Sequence, residues 1–374
     1  MIPFFIIILC VYIAINIYLY IRCYQALSLH ICGKIALGFI LFFLASAYIL
    51  SHVLDKKLPF ALASFVQIAG TTWYFVMFYA FLAVLLIDIA RIANHFFHFF
   101  PTGLYVNIAH TKLLVVGSVS SIITILAIVG YIRFSHPKVT AMELDISQQT
   151  RQNKELQIAV VSDLHLGYII KKSRLQKYVE QINSLHPDAV LMVGDVIDNN
   201  PKPVIHQRMH EDLSRLKTRL GVFAITGNHE YIGDEKVSCE YLQQAGITVL
   251  RDSLAYLDNG LCIIGRNDRA NHARKTLPDL FKQVTPGDAV ILMDHQPYNL
   301  QESEALGVNI HLSGHTHDGQ FFPINIIARS MYEISYGYKQ KGNMHVYVTS
   351  GLGLWGPLIR LGTVSEIVLL KIKY

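Results

Sequence analysis

Residues 2–21 carry no charged side chain, and this run constrains the chain more than any other stretch. About 20 apolar residues, each rising about 1.5 Å in a helix, match a hydrocarbon core roughly 30 Å thick, so the run reads as a membrane span. A cleaved leader would show a basic segment, a shorter apolar core and a small-residue cleavage site, and none of these precedes or closes it. Three more apolar runs follow, at residues 35–54, 59–87 and 113–132. Together they explain why a chain of 374 residues has only 16% charged side chains, too few for an ordinary soluble protein. The third run is long enough to tilt, or to bend near Gly70-Thr71-Thr72. At its end Asp88 and Arg91, spaced i,i+3, read as a structural pair at the interface rather than a functional pair within the membrane. The aromatic and imidazole side chains from His95 to Phe100 suit the headgroup layer.

An even number of spans puts the amino terminus and the carboxyl-terminal part on one side. Arg22, Lys34, Arg91 and Lys112 flank one face of the membrane; Lys56, Lys57, Arg133 and Lys138 flank the other. Only the first helix breaks the tie, with Arg22 directly after it and no basic residue before it, which favours an extracytoplasmic domain in the cell membrane. Cys10, Cys23 and Cys32 lie in or beside spans, and no local spacing argues for a disulfide between Cys239 and Cys262.

From about Phe134 the composition becomes that of a globular protein, with His136-Pro137 as the linker. The expected division is a four-span region at residues 1–135 and a domain at 136–374. Within that domain five apolar runs share one design, at residues 158–165, 189–195, 222–229, 290–295 and 308–317. Each is a short strand-like run that ends in polar side chains. Buried parallel strands read this way, and ligands collect beyond their carboxyl ends. Leu175, Tyr178, Val179, Ile182 and Leu185 recur at helical spacing after a cap at Ser173; further helices are expected near Gln207 to Leu216 and from Asp234 to Ala245, the latter closed by Gly246. Strands that alternate with helices make an α/β layered fold. Met142, Leu144 and Ile146 alternate with polar residues, which predicts a half-buried strand paired in a hairpin with residues 156–160 across a polar loop. Asp258-Asn259-Gly260 predicts another hairpin, so antiparallel strands should enter the sheet.

The strand ends carry the chemistry. Asp163 and His165, at i and i+2, share one side of an extended backbone. Gly194-Asp195 and Gly227-Asn228-His229 put a glycine before each polar group, and His295, His315 and His317 add three imidazoles. The set Asp163, His165, Asp195, Asn228, His295, His315 and His317 mixes oxygen and nitrogen donors, which suits Mn, Fe or Zn better than a calcium cage or a thiolate zinc site. Seven protein ligands exceed the need of one ion, so two divalent metal ions are implied, with Asp195 able to bridge them at roughly 3.5 to 4 Å. Any one of these pairs alone would be an ordinary polar feature; their recurrence at strand ends argues for a site. His186, His206, His210, His272, His311 and His345 fall outside the pattern and read as structural or surface residues.

In order, the blocks Ser162-Asp163-Leu164-His165, Gly194-Asp195-Val196-Ile197-Asp198, Gly227-Asn228-His229-Glu230, Asp294-His295-Gln296-Pro297 and Ser313-Gly314-His315-Thr316-His317 resemble those of the calcineurin-like metallophosphoesterases. Gly351 to Pro357, with Arg360-Leu361-Gly362, is similar to the branch of membrane-associated bacterial phosphoesterases related to YkuE. The resemblance covers residue 156 to the end and does not extend to the spans. It implies two mixed β-sheets flanked by helices around a dinuclear site. One ion would be held by Asp163, His165, Asp195 and His317, the other by Asp195, Asn228, His295 and His315. His229 is left to stabilise or protonate the leaving oxygen while water attacks phosphorus from the opposite side, which makes His229 and Asp195 the catalytic residues. Asp198 stands where purple acid phosphatases have a tyrosine ligand, so no charge-transfer colour is expected. Asp318 replaces a glycine frequent in the branch and alters the pocket wall without removing a ligand.

The resulting expectation is a membrane-anchored phosphoester hydrolase, with phosphodiesters among its candidate substrates and a lipid-linked one favoured. Asn228 and His229 would touch the substrate; the apolar loop at residues 352–359 would admit the lipid, and Arg360 would pair with its phosphate. The competing reading of the loop is a cap on the core beside the last strand. A pyrophosphate-bond hydrolase acting on a nucleotide-linked lipid precursor is the alternative within the enzyme class. A transporter or sensor with a regulatory domain is the alternative outside it, opposed by the scarcity of ionisable residues inside the spans. The net charge of +5 comes with no basic cluster, which argues against nucleic acid, and no oligomeric state follows from the sequence.

Overall fold

The computed structural model describes residues 2–54, 57–147, 154–258 and 260–374. Lys56, Asn259 of the expected hairpin turn, and residues 148–153 of the expected polar loop lie outside the described residues. The chain forms two compact units, Met1–Val129 and Gly130–Tyr374.

Four helices, Ile2–Ala26, Ile31–Val53, Phe60–Phe97 and Ile108–Ser135, are long and apolar enough to cross a membrane. The third continues ten residues beyond the apolar run that ends at residue 87, because the polar residues there are satisfied within the helix and across to its neighbour. Asp88 lies 3.6 Å from Arg91 and 2.5 Å from Arg22, and it accepts a hydrogen bond from the Tyr18 hydroxyl. The pair read as structural is thus part of a four-residue polar cluster joining the first and third helices. The third helix is unbroken at Gly70. A methyl group at that position would collide with the backbone of Ala47 and Tyr48, so Gly70 serves close approach to the second helix, as small residues do between membrane helices.

The second unit contains two six-stranded sheets, in agreement with the expected pair of mixed sheets flanked by helices. The first comprises β1 (Lys138–Asp145), β2 (Glu155–Val161), β3 (Ala189–Val193), β4 (Val222–Ile225), β5 (Thr248–Leu250) and β12 (Glu366–Lys373) in the order β1-β12-β2-β3-β4-β5. The second comprises β6 (Ser253–Asp258), β7 (Leu261–Gly265), β8 (Ala289–Met293), β9 (Ile310–Ser313), β10 (Gly337–Lys341) and β11 (Met344–Val348) in the order β10-β11-β9-β8-β7-β6. Ile158, Val160, Leu191, Val193 and Ile225 of one sheet join Leu261, Ile263, Ile291, Met293 and Leu312 of the other in a single buried core. The far side of the second sheet buries Ile264, Leu292 and Val346 under Leu277, Leu280 and Leu300. Strands covered on both faces have no polar alternation to show, which is why β3, β7 and β8 are apolar throughout.

Three local expectations are corrected. β1 makes no hairpin with β2: the last strand lies between them, parallel to β1 and antiparallel to β2. The helix Lys172–Ser184 starts one residue before Ser173, which caps nothing, and Lys171 takes the cap position. The segment near Gln207 to Leu216 is helical only over the single turn His210–Leu213, with a separate short helix, Lys202–His206, before it. By contrast, the helix Glu235–Gln244 begins at Asp234, whose carboxylate accepts a hydrogen bond from the Val237 amide. Cys239 and Cys262 are buried free thiols.

Candidate metal centre

β2, β3 and β4 run parallel in one sheet, and β8 and β9 run parallel in the other. Asp163 and His165 follow β2, Asp195 follows β3, Asn228 follows β4, His295 follows β8, and His315 and His317 follow β9. Every expected ligand therefore leaves the carboxyl end of a strand.

The side chains gather into groups able to hold an ion. Asp163, His165 and His317 form one; Asp195, His295 and His315 form a second. His165 Nε2 and His317 Nε2 face each other at 3.2 Å, with Asp163 Oδ1 3.4 Å from the latter and 3.9 Å from the former. Lone-pair donors converging on one point, with His165 and Asp163 fully buried, are the arrangement a cation satisfies. Asp195 Oδ2 lies between the groups, 3.8 Å from His165 Nε2 and 3.1 Å from His295 Nε2. Asn228 Oδ1 is 2.8 Å from His315 Nδ1, which joins Asn228 to the second group. These donors fit a pair of divalent ions.

The backbone is shaped around these donors. Asp163, His165, Asp195, His315 and His317 all have positive φ, between 47° and 70°. Non-glycine residues seldom adopt this conformation, and its clustering at five of the seven candidate ligands is the kind of strain that surrounding structure sustains at a working site. The preceding glycines make room. A methyl group at Gly194 would strike the His295 ring, and one at Gly227 would strike the Asp195 carboxylate. Hydrogen bonds then set the orientations. His295 Nδ1 donates to the Val193 carbonyl at 2.7 Å, which leaves Nε2 as the ligand atom. The His315 amide donates to both Asp163 carboxylate oxygens at 3.1 Å, and the His229 amide donates to Asp195 Oδ1 at 2.9 Å.

His229 belongs to neither of these groups but to a third beside them, with His165 and Asp198. Its Nδ1 donates to Asp198 Oδ1 at 2.9 Å. Burial alone would lower its pKa, but the charge of Asp195 and the hydrogen bond and charge of Asp198 prevail and raise it to about 9. Both carboxylates favour the protonated form that an acid needs, and with Nδ1 engaged by Asp198 it is Nε2 that remains for a substrate. Burial likewise opposes ionisation of Asp195, but the imidazoles of His295, His229 and His165 hold its carboxyl well below the usual range.

Two residues have roles that the sequence reading did not assign. Asp198 orients His229 and lies 3.7 Å from His165 Nδ1. Glu230, fully buried, accepts the amides of Gly227, Asp195 and Ile197, tying the loops after β3 and β4 together. Burial and the nearby Asp195 charge raise its pKa to about 7. A signal was present: glutamate three residues after an N-cap is the acidic half of a capping box, and here its carboxylate accepts the Gly227 amide at 2.7 Å.

The expected lipid-entry loop is corrected. Leu352, Leu354 and Ile359 are buried, and only Trp355 is exposed, at 41%. Arg360 cannot meet a phosphate: it is fully buried, and its guanidinium donates to the carbonyls of Ser350, Gly351 and Gly353 at 2.6 to 3.1 Å. It fastens the strand-end turn that packs on Asp163, where Leu352 donates to the Ser162 carbonyl. Asp318 is buried and bound by Arg329 and Ser335, leaving the ligand set intact. Of the histidines left outside the site, His311 is buried between the hydroxyls of Ser303 and Ser313 as a core residue.

Comparison with known proteins bears on the same segment. Residues 156–319 match the family model described as calcineurin-like phosphoesterase. A zebrafish (Danio rerio) transmembrane protein with metallophosphoesterase domain is 32% identical over 67% of this chain, which spans 61% of that relative's length. A Helicobacter pylori metallophosphoesterase is 31% identical over 66% of this chain and 68% of its own. The metallophosphoesterase YkuE of Bacillus subtilis is 28% identical over 65% of this chain and 89% of its own.

Proposed function

Since this chain belongs to the calcineurin-like metallophosphoesterases, we propose that it is a membrane-anchored, dinuclear metal-dependent phosphohydrolase that cleaves a lipid-linked phosphoester. The observation that carries the reading is the position of Asp195 Oδ2 between His165 Nε2 and His295 Nε2, one carboxylate oxygen within reach of both donor groups. Two divalent ions bound there would supply Lewis-acid polarisation of the phosphoryl oxygens and a water acidified for attack. Asp163, His165 and His317 would hold one, Asn228, His295 and His315 the other, with Asp195 shared. Asn228 and His229 would also touch the substrate. His229, kept protonated by Asp198 and Asp195, gives its proton from Nε2 to the leaving oxygen. Glu230 holds the Asp195 and Gly227 loops in register for that transfer.

The lipid-linked substrate is supported by the four helices long and apolar enough to span a bilayer, since a tether gains most for a substrate concentrated at the membrane surface. With Leu352, Leu354 and Arg360 occupied in packing, the loop at residues 352–359 no longer supports it.

The test is a substrate panel on the purified full chain in mixed micelles: phosphomonoester, chromogenic phosphodiester, phospholipid and lysophospholipid. The expected result is chelator-sensitive turnover that favours the lipid substrates and rises with their surface concentration. Turnover that is faster on water-soluble esters and indifferent to surface concentration would overturn the lipid assignment.

A further inference from the structure

Among the described residues, the helix Ile324–Met331 faces the wrong way for a domain surrounded by water. Asn325 and Ala328 point inward and are buried, whereas Ile326, Ile327 and Met331 are 58%, 58% and 64% exposed. Phe322, just before the helix, is 55% exposed. At 100° per residue, Ile326, Ile327 and Met331 fall within one side of the helix, with the exposed Ser330 among them. The other exposed large apolar side chains of the second unit, among them Ile205, Ile232, Tyr256, Tyr338 and Trp355, occur one or two to an element. Single exposed apolar residues need no explanation; four within ten residues mark a surface with an occupant.

We propose that this face is a bilayer-contact surface, on which the catalytic unit rests against the membrane. The inference builds on the membrane-anchored reading above. The same chain carries four helices fit to span a bilayer, so a lipid surface is tethered within reach of this domain at high effective concentration. A helix that turns an exposed apolar side outward can lay that side in a membrane interface, while its other side, Asn325 and Ala328, stays packed on the domain. The face is also electrically quiet, because Arg329 on its flank is neutralised by buried Asp318, with contacts of 2.8 and 3.1 Å. Attraction is therefore apolar, and a neutral bilayer suffices.

Its placement bears on the chemistry. Asp318 directly follows the candidate ligand His317, and Phe321 pairs with Leu361 across a short bridge beside the Gly351–Arg360 turn. The helix that carries the contact face thus packs by its inner side, at Asn325, against the turn that follows His317.

The experiment uses the full chain with its five cysteines replaced and a single cysteine at position 327 (Ile327→Cys) bearing an environment-sensitive fluorophore. The control carries the label at the exposed but isolated Ile205 (Ile205→Cys). Both are reconstituted into phosphatidylcholine vesicles containing nitroxide-labelled lipid. Quenching at position 327 should exceed that at 205 severalfold and persist at high salt. Equal quenching at the two positions overturns the proposal. Quenching that disappears on dilution of protein in lipid, with crosslinks between copies, assigns the face to a second copy and overturns it too. If the cysteine-free chain fails to fold, a photo-crosslinking residue at position 327 in the native chain decides between lipid and protein adducts. Neither readout needs turnover, and flotation with the vesicles reports separately on the anchor, so failure of this inference is distinguishable from failure of the hydrolase reading.

Discussion

Asp195→Asn is expected to abolish measurable turnover and to lower bound metal at the same time. The side chain is buried, and its Oδ2 is 3.1 Å from His295 and 3.8 Å from His165. Asparagine keeps the volume, and its Oδ1 can still accept the His229 amide, so the fold should survive. What disappears is the negative charge between the two donor groups, together with one lone-pair oxygen on the side facing them. Losing even an outer partner of a metal ligand typically costs about 10- to 100-fold in affinity, and a shared carboxylate should cost more. Metal content measured after gel filtration, beside initial rates, checks both halves. A variant that keeps two ions and full rate would remove Asp195 from the centre.

His229→Ala should separate chemistry from metal binding. The ring stands outside the two donor groups assigned to the ions, in a third group with His165 and Asp198; it is hydrogen-bonded to Asp198, and two carboxylates raise its pKa. Without it the fold and both ions should remain, while the rate falls roughly 10²- to 10⁴-fold, the usual contribution of a general acid. The loss should shrink for a substrate whose leaving group departs readily without a proton, such as a nitrophenyl ester, and be largest for an alkyl ester. An equal loss on both, or a loss of metal, would make His229 a ligand or a packing residue instead.

How far these features were legible depends on whether their cause is local. The strand ends were legible because a strand buried on both faces has no polar alternation, and the run from Ile158 to Val161 breaks abruptly at Ser162-Asp163. The candidate ligands were legible for the same reason, as polar groups placed where a buried run stops. The pairing of β1 was not, since its partner is β12, more than 200 residues later, and nothing near Met142 encodes that register. Arg360 was misread because an arginine beside glycines and a tryptophan suggests a surface, whereas three backbone carbonyls compensate its burial. Asp198 and Glu230 lay inside recognised blocks, but their contacts with His229 and with the loop amides become visible only when β3 and β4 are placed side by side. The exposed group of Phe322, Ile326, Ile327 and Met331 was overlooked because apolar residues at helical spacing ordinarily point to a core, and here the small and polar residues Asn325 and Ala328 take that side.

If two ions in this one site perform the hydrolysis, activity should follow a metal titration step by step. The purified full chain would be stripped with chelator, then given Mn, Fe or Zn in measured steps, with bound metal and phosphodiester turnover followed together. The account predicts negligible activity in the stripped protein, full activity only as the second equivalent binds, and no recovery of wild-type rate by Asp195→Asn at any metal level. Full turnover with a single equivalent, or turnover that persists in the stripped protein, would contradict it.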